Sequence, residues 1–162
     1  MATDPSPELA LKPLNGASRT VDELLTTFHL LLVVLDPYTN ESSWILPTAA
    51  RVIQTFEQAD CRVAILIAAD ERDAKQFLGP MASEVLTFVD PEREAIKSFG
   101  LERLPALVHV DLGGHVVNAA EGWHPADWRR VCDALARAMS WSSPAFPAAK
   151  DPGPFQGSPA LG

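Results

Sequence analysis

Leu30-Leu31-Leu32-Val33-Val34-Leu35 is an unbroken apolar run that stops at Asp36-Pro37, and a second run, Arg62-Val63-Ala64-Ile65-Leu66-Ile67-Ala68, follows after one helix length. A strand with one wet face alternates apolar and polar residues, whereas a short run without alternation, bounded by turn residues, belongs to a strand covered on both faces of a parallel sheet. Between the two runs Ile45, Ala49, Val52, Ile53 and Phe56 fall on one stripe of a helix predicted over residues 44–59. Two covered strands joined by an amphipathic helix commit the chain to a layered α/β architecture.

The pattern continues in the same sense. Asp70 is placed to cap a helix that Gly79-Pro80 ends, and Val85 to Val89 reads as a third strand. Asp90-Pro91 is expected to open a further helix, with proline at its first position and Gly100 closing it. Ala106 to Asp111, the Gly113-Gly114 turn and His115 to Ala120 form an antiparallel hairpin, and Pro125 to Met139 a last helix with Trp128, Val131, Cys132 and Leu135 on one face. Before all of these, Val21 to Thr27 has the spacing of a short helix. The expected fold class is therefore α/β: a central mixed sheet built in βαβαβα order, then a β-hairpin and a closing helix.

With 162 residues, 47% of them hydrophobic and 21% charged, the chain fits one domain with one core. Residues 1–20, containing Pro5, Pro7, Pro13 and Gly16, are expected to be a flexible N-terminal segment without the features of a secretory leader. Residues 21–141 form the domain. Residues 142–162 are rich in Pro, Gly, Ser and Ala and have no periodicity, so they are expected to be a mobile tail with too little apolar area to offset ordering entropy.

A net charge of −8 argues against nucleic acid as a partner, since phosphate binding needs a basic face. No apolar run approaches the roughly 20 residues that cross a bilayer, so membrane insertion is not expected. Cys61 and Cys132 are the only cysteines and show neither metal-type spacing nor a disulfide framework, which points to a reducing, cytoplasmic setting. Asp36 and Glu41 read as turn and helix-cap carboxylates rather than metal ligands, and no metal or cofactor is expected.

Phe99-Gly100-Leu101-Glu102-Arg103-Leu104-Pro105-Ala106-Leu107-Val108 resembles the thioredoxin-family segment in which an aromatic-Gly turn leads to a hydrophobic residue and a cis-proline that starts a strand. Gly113 follows Pro105 at the distance of the family's hairpin glycine, and Gly122 stands one residue late, as the doubled Gly113-Gly114 explains. The additional strand and helix between Arg62 and Phe99, including Val85 to Glu92, are similar to the insertion shared by peroxiredoxins and cytochrome-maturation thiol reductases. The resemblance implies a thioredoxin-like fold over residues 28–140.

It also implies where the family's Cys-x-x-Cys should lie. Counting back from Pro47 places Thr39 and Ser42 at the two cysteine positions and Tyr38 at the usual tryptophan. Neither hydroxyl forms a disulfide or ionises near neutral pH, so a redox-inactive module is expected. The alternative is a thiol-dependent oxidoreductase or peroxiredoxin-like enzyme working through Cys61 or Cys132, which would need one of these thiols exposed and near positive charge.

In this family three loops meet on one face. Here they carry Tyr38, Asn40 and Glu41, then Arg103, Leu104 and Pro105, then Trp123 and His124. Aromatic and arginine side chains dominate binding hot spots, so this set is the expected binding face for a protein partner, with packing of Trp123 against the last helix beside Trp128 as the alternative for that residue. Gly122-Trp123-His124-Pro125 is also similar to a segment of hydrogenase-maturation thioredoxin-like chaperones, which lack the dithiol, and this similarity implies an accessory, chaperone-like or assembly role, or a place as a complex subunit.

Overall fold

A computed structural model describes residues 1–162. Its centre is the first apolar run, now the strand β3 (His29–Leu35), in which Leu30 to Leu35 are all at 0% exposure. β3 pairs in parallel with β4 (Cys61–Ile67) and antiparallel with β7 (Ala106–Val110), so no backbone edge of this run meets water. Alternate residues point into opposite layers. Leu31, Val33 and Leu35 join the core formed with α3 (Leu46–Phe56), α4 (Glu71–Leu78) and α7 (Pro125–Met139); Leu30, Leu32 and Val34 join the core with α1 (Val21–Leu24) and α6 (Glu94–Ser98). Complete burial of one such aliphatic side chain is worth about 1.5–3 kcal/mol, so six in succession fix both layers to the same strand.

The full sheet has seven strands. β5 (Thr87–Val89) lies parallel to β4, and β8 (Val116–Glu121) closes the hairpin with β7. Beyond β5 the edge is completed by β1 (Ala10–Pro13) and β2 (Arg19–Thr20), which give the order β2-β1-β5-β4-β3-β7-β8. This mixed α/β sheet with helices on both faces is the thioredoxin-like arrangement that the resemblance implies.

Several local expectations are corrected. The helix predicted over 44–59 is two pieces, α2 (Asn40–Trp44) and α3, joined at Ile45, with Pro47 in the first turn of α3 where its missing N–H leaves no gap. The helix after Asp90-Pro91 starts later, because the Asp90 carboxylate accepts from the Ala95 and Ile96 amides and Arg93 takes a left-handed turn at φ 59°. A short helix, α5 (Met81–Glu84), precedes β5.

The chain ends differ most from expectation. Residues 1–20 are not a flexible segment: Lys12 and Pro13 pair with Val89 and Phe88, and the Asp4 carboxylate accepts from the Val116 amide at 2.7 Å. Residues 142–162, expected as a mobile tail, lie as a strap over the domain. Phe146 is 5% exposed and Ala160 1%. Between them the Asp151 carboxylate takes both terminal nitrogens of Arg51, at 2.6 and 2.9 Å, the Thr48 hydroxyl at 2.7 Å and the Ala148 amide at 2.7 Å. Burial opposes the charge on Asp151, but these donors outweigh it and hold the carboxyl below its ordinary range. Anchors spaced along an extended chain have no helix or strand period, and prolines lower the entropy lost on ordering, so composition alone misjudged the segment.

At the end of the sheet opposite the β3–α2 turn, His29 Nδ1 lies 2.8 Å from His109 Nε2. His109 is 3% exposed and its Nδ1 has no partner. Burial first, and repulsion from His29 second, push its pKa down to about 4.

Two outcomes follow from this packing. Asp151→Ala strands the Arg51 guanidinium, the Thr48 hydroxyl and the Ala148 amide, and a loss of about 2–3 kcal/mol is expected in urea denaturation; an unchanged midpoint would show that the strap contributes nothing to the fold. For His109, the unfolded imidazole titrates near 6.5 while the folded one stays neutral to about 4, so the unfolded chain binds the extra proton between these values. Stability is therefore full above about pH 6.5 and falls as the pH drops towards 4, by on the order of 2–3 kcal/mol. His109→Asn should flatten that slope, and an identical slope in the variant would assign it to other groups.

Candidate functional site

The turn after β3 carries the two motif positions. Thr39 precedes α2 in extended conformation and its hydroxyl donates to the Asp36 carbonyl at 2.9 Å. Ser42 is at 0% exposure, and its Oγ accepts from the Asp36 amide at 2.9 Å. Both hydroxyls thus satisfy the backbone of one residue, Asp36, at the point where the chain leaves a fully covered strand. Ser42 is thereby closed off from any substrate atom, while Thr39 is half-buried.

Asp36 itself is 2% exposed. Its Oδ1 accepts from the Tyr38 amide, and its Oδ2 pairs with Arg93 Nη2 at 2.8 Å. The second terminal nitrogen of Arg93 donates to the Ala160 carbonyl of the strap at 2.7 Å. Sequence reasoning missed Arg93; its left-handed backbone is what aims it across the site, and no pattern in the sequence signals that conformation.

The remaining positions of the expected face differ in exposure and in partners. Tyr38 is exposed, and its hydroxyl donates to Asp73 Oδ2 on α4 at 2.5 Å; that bond first, then burial, push its pKa up to about 12. Asn40 is exposed and Glu41 half-buried on α2. Arg103, at the surface, and Leu104, at 0% exposure, form β6 (Arg103–Leu104), directly before Pro105, whose peptide bond is cis. His124 is half-buried at the start of α7 and makes no side-chain cap.

Trp123 is a correction: expected as an exposed recognition residue, it is at 0% exposure. It packs edge-on to Trp128 at 5.3 Å and to Phe146 at 6.1 Å, and its indole N–H donates to the Pro152 carbonyl at 2.7 Å. The strap covers it. Conversely Trp44, which the sequence reading placed only as the start of a helix, is 52% exposed and meets Phe155 edge-on at 5.6 Å.

The strap crosses this face as extended chain. β9 (Ser158–Pro159) runs antiparallel to β6, with Arg103 opposite Pro159 and Leu104 opposite Ser158. Trp123 and Phe155 exchange backbone hydrogen bonds of 2.8 and 2.9 Å, and the Ala160 amide donates to the Glu102 carbonyl at 2.9 Å. The edge beside Pro105 is therefore already paired with a peptide, and that peptide belongs to the chain itself.

The two thiols lie elsewhere. Cys61 is 8% exposed, and burial with the neighbouring Asp60 pushes its pKa up to about 11. Cys132 is at 0% exposure, with its pKa pushed up to about 12 by burial and Asp133. Both are protonated at neutral pH, the opposite of an activated nucleophile. No group of three or more His, Cys, Asp or Glu side chains has the geometry to hold a metal ion, and no helix is long and apolar enough to cross a membrane.

No protein-family model matches the sequence, and no curated protein matches it either. Solved structures do. A Chlorobium tepidum protein assigned as the thiol:disulfide interchange protein DsbE is similar with a TM-score of 0.70 at 18% identity, over 86% of this chain and 98% of that one. The thioredoxin domain of a Bacteroides vulgatus thiol-disulfide oxidoreductase gives 0.65 at 15%, over 86% and 99%, and the peroxidoxin BcpB of Mycobacterium tuberculosis 0.64 at 16%, over 85% and 97%. At such identities the likeness establishes the fold: the chain is thioredoxin-like, with neighbours among disulfide oxidoreductases and peroxiredoxins.

Because Ser42 Oγ is the acceptor for a buried amide, Ser42→Ala should cost about 1–3 kcal/mol in a denaturation experiment. A fluorophosphonate serine probe should leave Ser42 unlabelled in the folded chain. Labelling at Ser42 would show an accessible, activated hydroxyl and contradict the assignment.

Proposed function

We propose that the chain is a redox-inactive thioredoxin-like module that binds protein, with the sulfur chemistry of its fold gone and the peptide-pairing edge retained. One observation carries the reading: extended polypeptide lies antiparallel on Arg103-Leu104, immediately before Pro105. Strand addition at an open edge draws affinity from main-chain hydrogen bonds and needs no thiol. Thr39 and Ser42 are spent on the Asp36 backbone, and Cys61 and Cys132 are buried and protonated.

Arg103 is exposed on that edge, Trp44 is exposed against Phe155 of the strap, and Tyr38 is exposed at the turn after β3; these are residue types that supply much of the binding energy at interfaces. Asn40, Glu41 and His124 are the further polar positions of the proposed binding face, and Leu104, Pro105 and Trp123 are its buried ones. Such a module serves as an accessory or chaperone-like factor, an assembly factor or a complex subunit. Two unpaired, buried cysteines suit a reducing compartment, and the cytoplasm is the proposed location.

Purified protein should neither reduce insulin disulfides nor consume peroxide above a no-protein control. Turnover abolished by Cys61→Ser or Cys132→Ser would replace this reading with a thiol enzyme. In parallel, the full-length chain carrying Tyr38→Ala and Trp44→Ala should lose its native co-purifying partner, since truncating central aromatic anchors commonly costs about 2 kcal/mol, roughly thirtyfold in affinity. Undiminished capture by the folded double variant would move the interface elsewhere.

A further inference from the structure

The last residues of the strap touch the site in a way that reads as recognition. We propose that residues 155–162 are a built-in occupant of the Pro105 edge, displaced by a partner polypeptide that presents the same chemistry in extended form: an aromatic side chain, a glycine two residues on, then small residues around a proline. The proposal rests on the peptide-binding reading above and adds what the ligand is and what stands in its way.

Each part of that description has its counterpart on the receptor. The aromatic ring of Phe155 meets exposed Trp44 edge-on, while its backbone exchanges two hydrogen bonds with Trp123. The glycine is demanded by close backbone approach. A Cβ on Gly157, at φ +85°, would lie 2.4 Å from the Leu104 carbonyl oxygen, and a Cβ on Gly122, at φ +74°, would lie 2.4 Å from the Gln156 carbonyl oxygen. Backbone meets backbone at both points, so no flexible side chain can yield. The small residue is Ala160, 1% exposed in the same cluster as Leu104.

Arg93 supplies the charged element. Asp36 holds one terminal nitrogen of the guanidinium, and the other donates to the Ala160 carbonyl. A buried carboxylate thus aims a donor at a main-chain oxygen, which any extended peptide offers at that register.

The strap divides into a fixed and a releasable part. Up to Pro152 it is held by Phe146 in the core, by the Arg51–Asp151 pair and by the indole of Trp123. Gly153 and Pro154 are exposed, and a Cβ on Gly153 would meet nothing within 4 Å. Beyond them Gln156, Pro159, Leu161 and Gly162 are exposed, and the segment is held mainly by backbone pairing. Segments with few buried groups open first. The short tether also gives the segment an effective concentration in the millimolar range, so weak intrinsic pairing keeps the edge filled.

The test uses the full-length chain and a fluorescein-labelled peptide of residues 154–162, read by anisotropy. The Gly157→Val chain, whose own strap no longer seats, should bind the unaltered peptide at least about tenfold more tightly than the wild-type chain, which competes with itself. A peptide that itself carries Gly157→Val should bind neither. Phe155→Ala in the full-length chain loosens the strap at a half-exposed position and supplies the same comparison should the glycine variant misfold. Equal affinity for wild type and folded variants, or no binding to either variant, overturns the proposal. So does a wild-type dimer that dissociates on Gly157→Val, which would make a second copy the natural occupant. These failures leave partner capture through Tyr38 and Trp44 untouched, whereas insulin or peroxide turnover sinks the binding reading without bearing on the strap.

Discussion

Covering β3 on both faces and along both edges makes the turn where that strand ends the point at which its backbone must find other partners. Asp36 is the residue at that exit, and its backbone must find partners without water. Its amide is satisfied by Ser42 and its carbonyl by Thr39, while its carboxylate fixes Arg93. The hydroxyls of Thr39 and Ser42 are therefore structural groups of this turn. A buried, unpartnered amide would cost about as much as several surface contacts contribute, which is why these hydroxyls point inward.

Arg93 connects that exit to the far end of the chain. Its pair with Asp36 is well shielded, and a shielded pair that loses one member leaves an uncompensated charge behind. The guanidinium is thereby restricted to one orientation, with its second nitrogen directed at the strap. The turn after β3 and the strap are consequently one hydrogen-bonded unit rather than neighbouring features.

How much of this was legible depended on whether a segment announces itself by period. The runs 30–35 and 62–68 were unmistakable, because continuous apolarity bounded by turns has few other readings, and Pro125 to Met139 was equally plain from its stripe. Ala10-Leu11-Lys12-Pro13 was not, since four residues ending in proline carry too little alternation, and it becomes a strand only because β5 offers an edge. The strap was illegible for a related reason: Phe146, Asp151, Phe155 and Ala160 are spaced for a surface already present, not for a repeat. Thr39 and Ser42 were found by counting from Pro47, and the packing of Trp123 on Trp128 was open to expectation as the alternative to recognition, whereas its cover by Phe146 of the strap was not.

The meeting of Gly122 and Gly157 bears on how this protein tolerates change over generations. A side chain at either position meets backbone across the seam and lifts the strap from the edge. Gly157 is then released from that contact, whereas Gly122 keeps a demand of its own, because it sits at φ +74° with its amide on the Pro105 carbonyl and its carbonyl accepting from the Trp128 indole. The two sites, 35 residues apart in the chain, are therefore coupled unequally: once Gly122 is replaced a side chain at Gly157 adds little, while a change at Gly157 spares Gly122 only its contact with the strap, and in either order the combined effect falls short of the sum.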